Sequence, residues 1–407
     1  MAVAEEFLSV EICAGAGGQA AGLHRAGFRH LALVELDEHA AQTLRLNIAN
    51  PEGRPPRSGS WERCDVLAMD VKDFDPTRDL AWGAELLAQR GLDLLAGGVP
   101  CPPFSHAGKQ LGREDERDLF PRMLELVELL RPRAVMIENV RGIMDPKFAG
   151  YRDWIISKLQ GGPYFADDGQ IGEEPGLGYT VCRWDVLEAS DFGVPQLRPR
   201  AILVAFRDDV IADLDYVWPE PTHRVAVTVA DALEASMRVR FEPYFVGEHS
   251  DRAHAAFNRW RERSCAGVAP TLVGGSKKHG GADLGPTRAK AAWKQLGICG
   301  LGVANDAVTC RQKQTEERDL FGADGPMLTV EQAATIQGFP AGWVFSGAKT
   351  AQYRQVGNAF PPPVATAVGE SIIAVLRAAR ERDQVTADTA QRVPAERELA
   401  SRTAVTA

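Results

Sequence analysis

The sequence predicts an α/β protein built on a Rossmann-like parallel sheet, with a second, smaller domain of irregular structure. First, an apolar run at residues 7–13 leads into a glycine-rich turn at 14–18 and then a helical pattern, which is the βα unit of nucleotide-binding folds. Second, two short apolar runs, 92–96 and 134–137, each lead into polar or reactive residues, as strands of an open sheet do at their carboxyl ends. Third, this regular alternation stops after Trp218.

Composition narrows the functional class. With 407 residues, 45% hydrophobic and 25% charged, the chain is long enough for two domains and is typical of a globular protein. No apolar stretch approaches the roughly 20 residues of a membrane span, so we expect a cytoplasmic protein without a membrane partner. The seven cysteines form no CxxC pair or His/Cys cluster, which argues against a disulfide framework and against a metal site.

The net charge of −9 argues mildly against a nucleic-acid partner, but the distribution of charge matters more than the total. Residues 251–320 contain twelve Lys or Arg and seven Asp or Glu, a local net charge of +5. Within this region, the stretch 271–278 joins glycines to adjacent lysines, which predicts a phosphate-contacting surface. A solvated loop with chance cations is the alternative.

The glycines of the first turn predict a nucleoside site. Gly15, Gly17 and Gly18 let a ligand approach the backbone, and the following helix offers free N–H groups. Their spacing is not the G-x-G-x-x-G of dinucleotide binders, so no pyrophosphate is required. A nucleoside with a compact charged tail, such as S-adenosylmethionine, fits as well or better. The next predicted strand, 31–34, ends at Glu35, where a carboxylate usually holds a ribose diol.

The chain is organised around residues 97–105, Gly-Gly-Val-Pro-Cys-Pro-Pro-Phe-Ser, which follow the predicted strand at 92–96. The glycines permit unusual backbone angles, and the prolines fix the backbone on both sides of Cys101. Such a turn holds one thiol in a set direction, as a nucleophile requires when it must meet one carbon of one ring. The alternative is a proline-rich turn with an incidental cysteine.

Four further polar residues are candidates for binding or catalysis. Glu138 ends the apolar strand 134–137, at the edge where open sheets meet ligands. Arg198 and Arg200 alternate at a strand start, so both point to one face and suit a base edge or a phosphate. Asp65 could place a carboxylate beside an adenine amino group. For each residue the alternative is a solvated surface charge.

The C-terminal part contains two more patterned segments and a tail. Residues 328–340 predict a helix, and the run 355–363, Gln-Val-Gly-Asn-Ala-Phe-Pro-Pro-Pro, precedes a second predicted helix at 364–379. Residues 381–407 are polar, charged and poor in large apolar side chains, which predicts disorder.

Taken together, these blocks resemble the DNA (cytosine-5)-methyltransferase family, and they occur in the family's chain order. The resemblance spans about residues 7–375. The segment 215–327 contributes little to it. The blocks that carry the resemblance are the turn at 14–18, the Pro-Cys loop at 97–105, Glu138-Asn139-Val140, the Q-x-R-x-R run at 196–200, and the segments 328–340 and 355–363.

The resemblance implies an S-adenosylmethionine-dependent methyltransferase fold. A larger Rossmann-like domain at 1–214 would face a smaller target-recognition domain at 215–327 across a DNA-sized cleft. Residues 328–380 would return to the large domain, and 381–407 would form the disordered tail. The implied partner is double-stranded DNA, bound by a monomer, with a cognate restriction endonuclease as a further possible component of the same system.

The resemblance also implies a mechanism. The Cys101 thiolate would add to C6 of a flipped-out cytosine, so that C5 takes the methyl group of S-adenosylmethionine. Glu138 would hold a proton at N3, Arg200 would hold O2, and Arg198 would support the Cys101 loop. The implied cofactor-binding residues are Ala14, Gly15, Gly17, Gly18, Glu35, Leu36, Asp65, Val66, Pro100, Asn358 and Ala359.

Two positions depart from the family pattern. Cys13 stands where the family often has a Phe that stacks on adenine, and Pro102 stands where it often has Gln. Neither change touches the reacting groups, so we expect altered affinity or loop rigidity and retained activity. Among the alternatives, a tRNA-methylating relative would carry a Cys-Phe-Thr tripeptide that this sequence lacks. A non-catalytic DNA-binding relative would have lost the thiol or the acid, and a nicotinamide oxidoreductase would leave the thiol loop unexplained.

Overall fold

The computed structural model describes residues 6–48, 64–80, 83–100, 118–166, 169–274 and 282–404, with side chains described up to residue 387. The strands in these ranges are β1 (Phe7–Ile12), β2 (Phe28–Glu35), β3 (Asp65–Ala68), β4 (Leu94–Gly97), β5 (Ala134–Val140), β6 (Gly162–Phe165), β7 (Ile171–Glu174), β8 (Tyr179–Glu188) and β9 (Pro199–Arg207). Seven of them form a central sheet in the order β3-β2-β1-β4-β5-β9-β8. β1 to β5 are parallel, whereas β9 runs antiparallel to both of its neighbours. β6 and β7 form a separate antiparallel hairpin.

Helices cover the sheet and build the second half of the chain. They are α1 (Gly18–Ala26), α2 (Glu38–Asn47), α3 (Pro76–Asp79), α4 (Gly83–Arg90), α5 (Phe120–Leu130), α6 (Ala149–Gln160), α7 (Asp208–Ile211), α8 (Val229–Phe241), α9 (Ser250–Ser264), α10 (Thr287–Gln295), α11 (Ala307–Lys313), α12 (Glu316–Asp319), α13 (Val330–Gln337), α14 (Lys349–Asn358) and α15 (Pro362–Ala404). The predicted α/β fold class is confirmed, with a mostly parallel central sheet.

The central strands are apolar on both sides because both faces of the sheet are covered. Leu8 and Leu95 lie on the face that packs against α5 and α6. Their neighbours Phe7 and Leu94 lie on the opposite face, which packs against α1 and α15. Each such side chain, when fully buried, contributes about 1.5–3 kcal/mol of hydrophobic stabilisation.

Helices α1 and α15 approach each other closely at two glycines. A Cβ atom on Gly18 would lie 2.2 Å from the carbonyl oxygen of Phe360, and one on Gly22 would lie 2.3 Å from that of Pro362. The Thr366 hydroxyl donates a hydrogen bond of 3.1 Å to the Gly22 carbonyl. The last glycine of the turn therefore serves helix packing as well as the approach of a ligand.

A third core joins helices on both sides of the predicted boundary at residue 328. Trp260 of α9 and Trp293 of α10 belong to the same apolar cluster as Leu328 and Tyr353. Arg240 of α8 strengthens this connection, because its guanidinium donates to Oε1 of Gln332 at 2.7 Å and to the carbonyl of Met327 at 2.8 Å. Residue 328 therefore lies inside one packed core, and the return to the sheet is made by α15.

The structure differs from the sequence expectations in two C-terminal features. Residues 381–407 were expected to be disordered, but α15 continues to Ala404, and 405–407 lie outside the described residues. Ala, Arg, Glu and Gln are strong helix formers even where large apolar residues are few. We also expected no apolar stretch that approaches the length of a membrane span. This expectation is wrong, since Lys349–Ala387 contains a window long and apolar enough to cross a membrane. That window is 72% buried inside the fold, so core packing accounts for its apolar character.

Candidate active site

The carboxyl ends of β1, β2, β4 and β5 meet at one edge of the sheet, where two cavities adjoin. Gly98, Glu138 and Asn358 line both of them. Among the described residues, the inner cavity is lined by Glu11, Cys13, Ala14, Gly15, Ala16, Gly18, Gln19, Glu35, Asp37, His39, Ala40, Gly98, Glu138, Ala351, Arg354, Gln355, Asn358, Ala359 and Phe360. The outer cavity is lined by Gly98, Val99, Pro100, Glu138, Asn139, Val140, Gly142, Ile143, Asp145, Lys147, Phe148, Arg198, Arg200, Thr271, Leu272, Val273, Gly274, Gly357 and Asn358.

Glu35 closes one side of the inner cavity and fixes the glycine turn. Its Oε2 accepts a hydrogen bond of 2.7 Å from the backbone N–H of Gly15, and its Oε1 accepts one of 2.8 Å from that of Asp37. Burial raises the pKa of Glu35, and the hydrogen bonds from the backbone oppose this rise. The carboxylate retains lone pairs that can accept hydrogen bonds from a bound ligand.

The three glycines of the turn have different roles. Gly15 has a φ of +55°, and a Cβ atom added there would meet no atom within 4 Å. Gly17 has a φ of +86°, and its Cβ would lie 2.8 Å from Leu44. Gly17 does not line the cavity, so it supports packing, whereas Gly15 leaves open space for a ligand.

The floor of the inner cavity contains two polar residues that sequence reasoning missed. Glu11 on β1 and Gln19 on α1 are buried and line the cavity. Burial raises the pKa of Glu11 well above its usual range. Glu11 is the one charged residue inside the predicted strand at 7–13, which is the signal that could have identified it.

Glu138 forms the wall between the two cavities. Its Oε1 lies 2.8 Å from Nε of Arg200, and the two side chains are only 13% and 11% exposed. Burial raises the pKa of Glu138, and the charges of Arg200 and Arg198 oppose this rise. A Cβ atom on Gly98 would lie 3.0 Å from Oε2 of Glu138, so glycine lets the backbone before the Pro-Cys loop pack against this carboxyl group.

Arg198 is 1% exposed and holds three chain segments together. Its Nη1 donates to the carbonyl of Leu272 at 2.7 Å, and its Nη2 donates to those of Gly357 at 2.8 Å and Ala359 at 2.9 Å. Burial lowers the pKa of Arg198 well below its usual range. The guanidinium thus joins the start of β9 to the segment around Leu272 and to the C-terminal end of α14, both of which line the cavities.

Cys101 lies outside the described residues, as does the predicted contact between Arg198 and the Cys101 loop. The described part of the loop ends at Pro100, which lines the outer cavity. Asn139 holds this part in place, because its Nδ2 donates a hydrogen bond of 2.7 Å to the carbonyl of Val99. The loop that leads to Cys101 is therefore fastened directly to the strand that delivers Glu138.

Comparison with known proteins identifies the family. The family model of the C-5 cytosine-specific DNA methylases matches residues 7–374. The chain belongs to this family. Two similar relatives agree: the Type II methyltransferase M.NaeI of Lentzea aerocolonigenes is 46% identical over 371 residues, which are 90% of this chain and 75% of the relative. The Type II methyltransferase M.NgoMIV of Neisseria gonorrhoeae is 42% identical over 376 residues, covering 91% of this chain and 99% of the relative.

A solved structure shows the same fold at low sequence similarity. The S. pombe Dnmt2 methyltransferase superposes with a TM-score of 0.51 at 16% identity, covering 91% of this chain and 98% of the other. The DNA methylase fold of this chain therefore extends over nearly its whole length.

For this DNA methylase, the sheet register shows that the predicted adenine contact Asp65 lies at the start of β3. Asp65 pairs with Ala32 and Ala68 pairs with Glu35, so Asp65 begins β3 and lies away from the edge where the cavities open. Val66, the next residue, does not line the inner cavity either. The carboxylate that follows the end of β3 is Asp70.

Asp70 lies close enough to influence the inner cavity. It contributes, after burial and Glu35, to raising the pKa of Cys13 to about 12. Cys13 itself has a φ of +52°, an unusual conformation for a residue with a side chain. Leu36, which directly follows β2, is 69% exposed and is not among the cavity-lining residues.

Proposed function

We propose that this chain is a DNA (cytosine-5)-methyltransferase that turns a target cytosine out of duplex DNA and transfers a methyl group from S-adenosylmethionine to its C5 atom. The observation that carries the proposal is the buried Glu138–Arg200 pair, joined at 2.8 Å, on the wall common to two cavities. One cavity suits the methyl donor and the other suits the base. Membership of the DNA methylase family and the likeness to two Type II methyltransferases support this assignment.

The outer cavity is the proposed base pocket. Cytosine presents the acceptors O2 and N3 side by side, and the pair supplies a guanidinium and a carboxyl group to match. Because burial raises the pKa of Glu138, its protonated form persists to higher pH than in an ordinary glutamate. A proton held between Glu138 and N3 would stabilise the charge that develops when a nucleophile adds to C6.

Cys101 is the proposed nucleophile. It directly follows Pro100, which lines the base pocket. The thiolate forms a C–S bond to C6, and the electron pair of the C5–C6 double bond makes C5 nucleophilic. S-adenosylmethionine, when bound, would supply the methyl group to C5 as an electrophile, with the S–CH3 bond broken and S-adenosylhomocysteine as the leaving group. A base then removes the C5 proton, the C–S bond breaks, and Cys101 leaves as a thiolate.

The inner cavity is the proposed cofactor site. The residues that line it fit a nucleoside: Gly15 leaves open space beside the backbone, and Glu35 has lone pairs free for a ribose diol. Of the other predicted cofactor residues, Ala14, Gly18, Asn358 and Ala359 also line this cavity, whereas Pro100 lines the outer one. Asp65 and Val66 remain the proposed adenine contacts, and Asp70, whose charge acts on Cys13 of this cavity, is the alternative. Gly17 and Leu36 remain proposed cofactor residues, although neither lines the cavity.

Residues 215–327 are the proposed target-recognition part. The described end of the predicted phosphate-contacting stretch, at 271–274, lines the base pocket. Arg198 joins Leu272 of this stretch to the rest of the pocket. We further propose that the enzyme acts as a monomer in the cytoplasm on double-stranded DNA, with or without a companion restriction endonuclease.

A trapping experiment tests the function and the nucleophile together. Fluorine at C5 cannot leave as a cation, so duplex DNA with 5-fluorocytosine at the target should trap the protein after methyl transfer. The adduct should require S-adenosylmethionine, survive denaturing electrophoresis and map by mass spectrometry to the peptide that contains Cys101. Cys101→Ser should abolish it while duplex binding is retained, because a hydroxyl is far less ionised than a thiol near neutral pH.

Bisulfite sequencing of DNA from cells that express the protein supplies the target sequence for this experiment. An adduct that persists in Cys101→Ser would assign the chemistry to another residue. Methyl transfer to tRNA in preference to duplex DNA, measured with radiolabelled S-adenosylmethionine, would contradict the proposed substrate.

A further inference from the structure

Two chain segments cross in direct backbone contact beside the base pocket. One is the segment 271–274 of the proposed target-recognition part, and the other is the last turn of α14. A Cβ atom on Gly274 would lie 2.0 Å from Oδ1 of Asn358, and one on Gly357 would lie 2.5 Å from the backbone nitrogen of Gly274. An ordinary contact between two such atoms is about 3.5–4.0 Å long. This crossing therefore requires glycine at both positions.

The backbone conformation at these two positions does not itself call for glycine. Neither Gly274 nor Gly357 has a φ in the left-handed region. Alanine would restrict the unfolded chain more than glycine does, and at Gly357 it would also favour the helix. The close approach of the two segments is what requires glycine here.

Buried side chains fix the crossing in one position. Arg198 donates a hydrogen bond of 2.7 Å to the carbonyl of Leu272 and one of 2.8 Å to that of Gly357. Oε1 of Gln196 accepts a hydrogen bond of 2.8 Å from the backbone N–H of Leu272. Both segments are thus held by the residues that precede β9, and they cannot separate without straining buried hydrogen bonds.

The crossing lies where the two proposed ligands must meet. Asn358 directly follows Gly357 and lines both cavities, whereas the segment 271–274 lines the outer one. Methyl transfer requires reacting atoms about 3–3.5 Å apart, and a misplacement of about 1 Å can slow a reaction about 100-fold. The separation of the two segments therefore affects the distance between a base in one cavity and a methyl donor in the other.

We propose that Gly274 and Gly357 are positioning residues that hold the target cytosine at reaction distance from the methyl group of S-adenosylmethionine. This inference rests on the proposed function, which assigns the base to the outer cavity and the cofactor to the inner one. The two glycines act through Asn358 and through the backbone that separates the cavities. A Cβ atom on Gly357 must move the segments apart by about 1 Å to restore an ordinary contact.

Single-turnover methyl transfer tests the proposal. It is measured at saturating S-adenosylmethionine and saturating duplex that contains the target found by bisulfite sequencing. Gly274→Ala and Gly357→Ala should each lower the rate constant by about 10- to 100-fold. The affinities for the duplex and for S-adenosylhomocysteine should change less, within about fivefold, because the loss is made in the transition state.

The double variant distinguishes one shared contact from two separate ones. Either Cβ atom alone already separates the segments, so the variant that carries both alanines should be within about twofold of the slower single variant. Losses that multiply would show that the two glycines act independently, and this would overturn the proposal.

Gly83→Ala is the matched control. Gly83 begins α4 and lines neither cavity, and its Cβ atom would lie 3.4 Å from that of Leu31, close to an ordinary contact. This variant should keep the wild-type rate constant. Thermal unfolding gives the folded fraction of each variant, by which its rate is corrected. If Gly357→Ala does not fold, Gly274→Ala carries the comparison, because its Cβ atom meets chiefly the end of the Asn358 side chain.

The remaining outcomes separate the positioning role from the proposed function. Rate constants within about twofold of the wild type in the folded single variants would overturn the positioning role. A slower rate matched by an equal loss of affinity for either ligand would show a binding defect, and this also overturns it. In both cases a wild type that methylates duplex DNA leaves the proposed function intact. A wild type that transfers no methyl group to duplex DNA would overturn the proposed function together with this inference.

Discussion

The two cavities share a wall but are assembled in different ways. Most of the inner cavity comes from one continuous stretch, residues 11–40, closed by 351–360. Its shape follows from a local turn in which the Glu35 carboxylate binds the backbone of Gly15. The outer cavity is assembled from five short segments spread between residues 98 and 358. No local turn can bring those segments together, so long-range side-chain contacts must do so.

Arg198 and two glycines make the long-range connection of the outer cavity. The guanidinium binds carbonyls of Leu272, Gly357 and Ala359. A Cβ atom on Gly357 would lie 2.5 Å from the backbone nitrogen of Gly274, so the last turn of α14 is in direct backbone contact with the segment 271–274. Asn358 lines both cavities. Most of the inner cavity can therefore form from local structure, whereas the outer cavity depends on the long-range hydrogen bonds of one buried cation.

Replacing Arg198 should have the largest effect, because its guanidinium holds the segments of the outer cavity together. Arg198→Met leaves three buried carbonyls without their donor, and each costs about 1–3 kcal/mol. We expect the free energy of unfolding to fall by about 3 kcal/mol or more, measured by urea denaturation, with loss of methyl transfer. Arg183→Met is the control, since Arg183 is 51% exposed and makes only surface contacts in the described structure, an ion pair with Asp185 and a contact with the ring of Trp218. Its effect should stay within about 0.5 kcal/mol.

A second variant separates charge from geometry at this site. Arg198→Lys keeps the cation but not the planar fork, so it cannot serve all three carbonyls at once. It should fall between the wild type and Arg198→Met in stability. Equal stability of Arg198→Met and the wild type would show that the outer cavity is held by other contacts.

Glu138→Gln tests the catalytic role proposed for the residue that lines both cavities. We expect single-turnover methyl transfer to slow by about 100-fold, the effect of removing a general acid, while affinity for S-adenosylhomocysteine stays within about threefold. Because burial raises the pKa of Glu138, its protonated form is present below that pKa and is lost as the pH rises through it. The wild-type rate should therefore contain a decline toward alkaline pH that Glu138→Gln lacks. Near-normal turnover of the variant from about pH 6 to about pH 9 would remove Glu138 from the mechanism.

The difference between local and long-range assembly also explains which parts of the fold and of the site could be predicted from the sequence. The βα unit, the strand that delivers Glu138, and the pair Arg198 and Arg200 could be predicted, because local patterns determine strands and turns. The partners of Arg198 could not, since Leu272 and Gly357 are 74 and 159 residues away along the chain. Only tertiary packing creates those contacts, and only the structure distinguishes the role of Arg198 from that of Arg200.

Within the inner cavity, two glycines have different expected roles: Gly18 in helix packing and Gly15 in ligand binding. Gly18→Ala places a Cβ atom 2.2 Å from the Phe360 carbonyl, so it should lower the free energy of unfolding by about 1–3 kcal/mol. Gly15→Ala meets no atom but adopts a φ of +55°, which costs about 1 kcal/mol. Gly15→Ala should weaken binding of S-adenosylhomocysteine more than Gly18→Ala does, because Gly15 borders open cavity. Thermal and urea unfolding with calorimetric titration measure both quantities, and the same order in both would contradict separate roles.

The smallest expected effect distinguishes two carboxylates near β3. Asp70 follows the end of the strand at the cavity edge, whereas Asp65 begins the strand opposite Ala32. If Asp70 accepts a hydrogen bond from the adenine amino group, Asp70→Asn should weaken S-adenosylhomocysteine binding about 5- to 10-fold, the value of one hydrogen bond to a charged acceptor. In that case Asp65→Asn should change the affinity by less than about twofold, because Asp65 lies at the opposite end of β3. The same titrations with the inosine analogue of S-adenosylhomocysteine, which lacks the amino group of the adenine ring, complete the test. Asp70→Asn should have little effect on binding of that analogue, and the opposite pattern, with Asp65→Asn as the damaging change, would return the adenine contact to the start of β3.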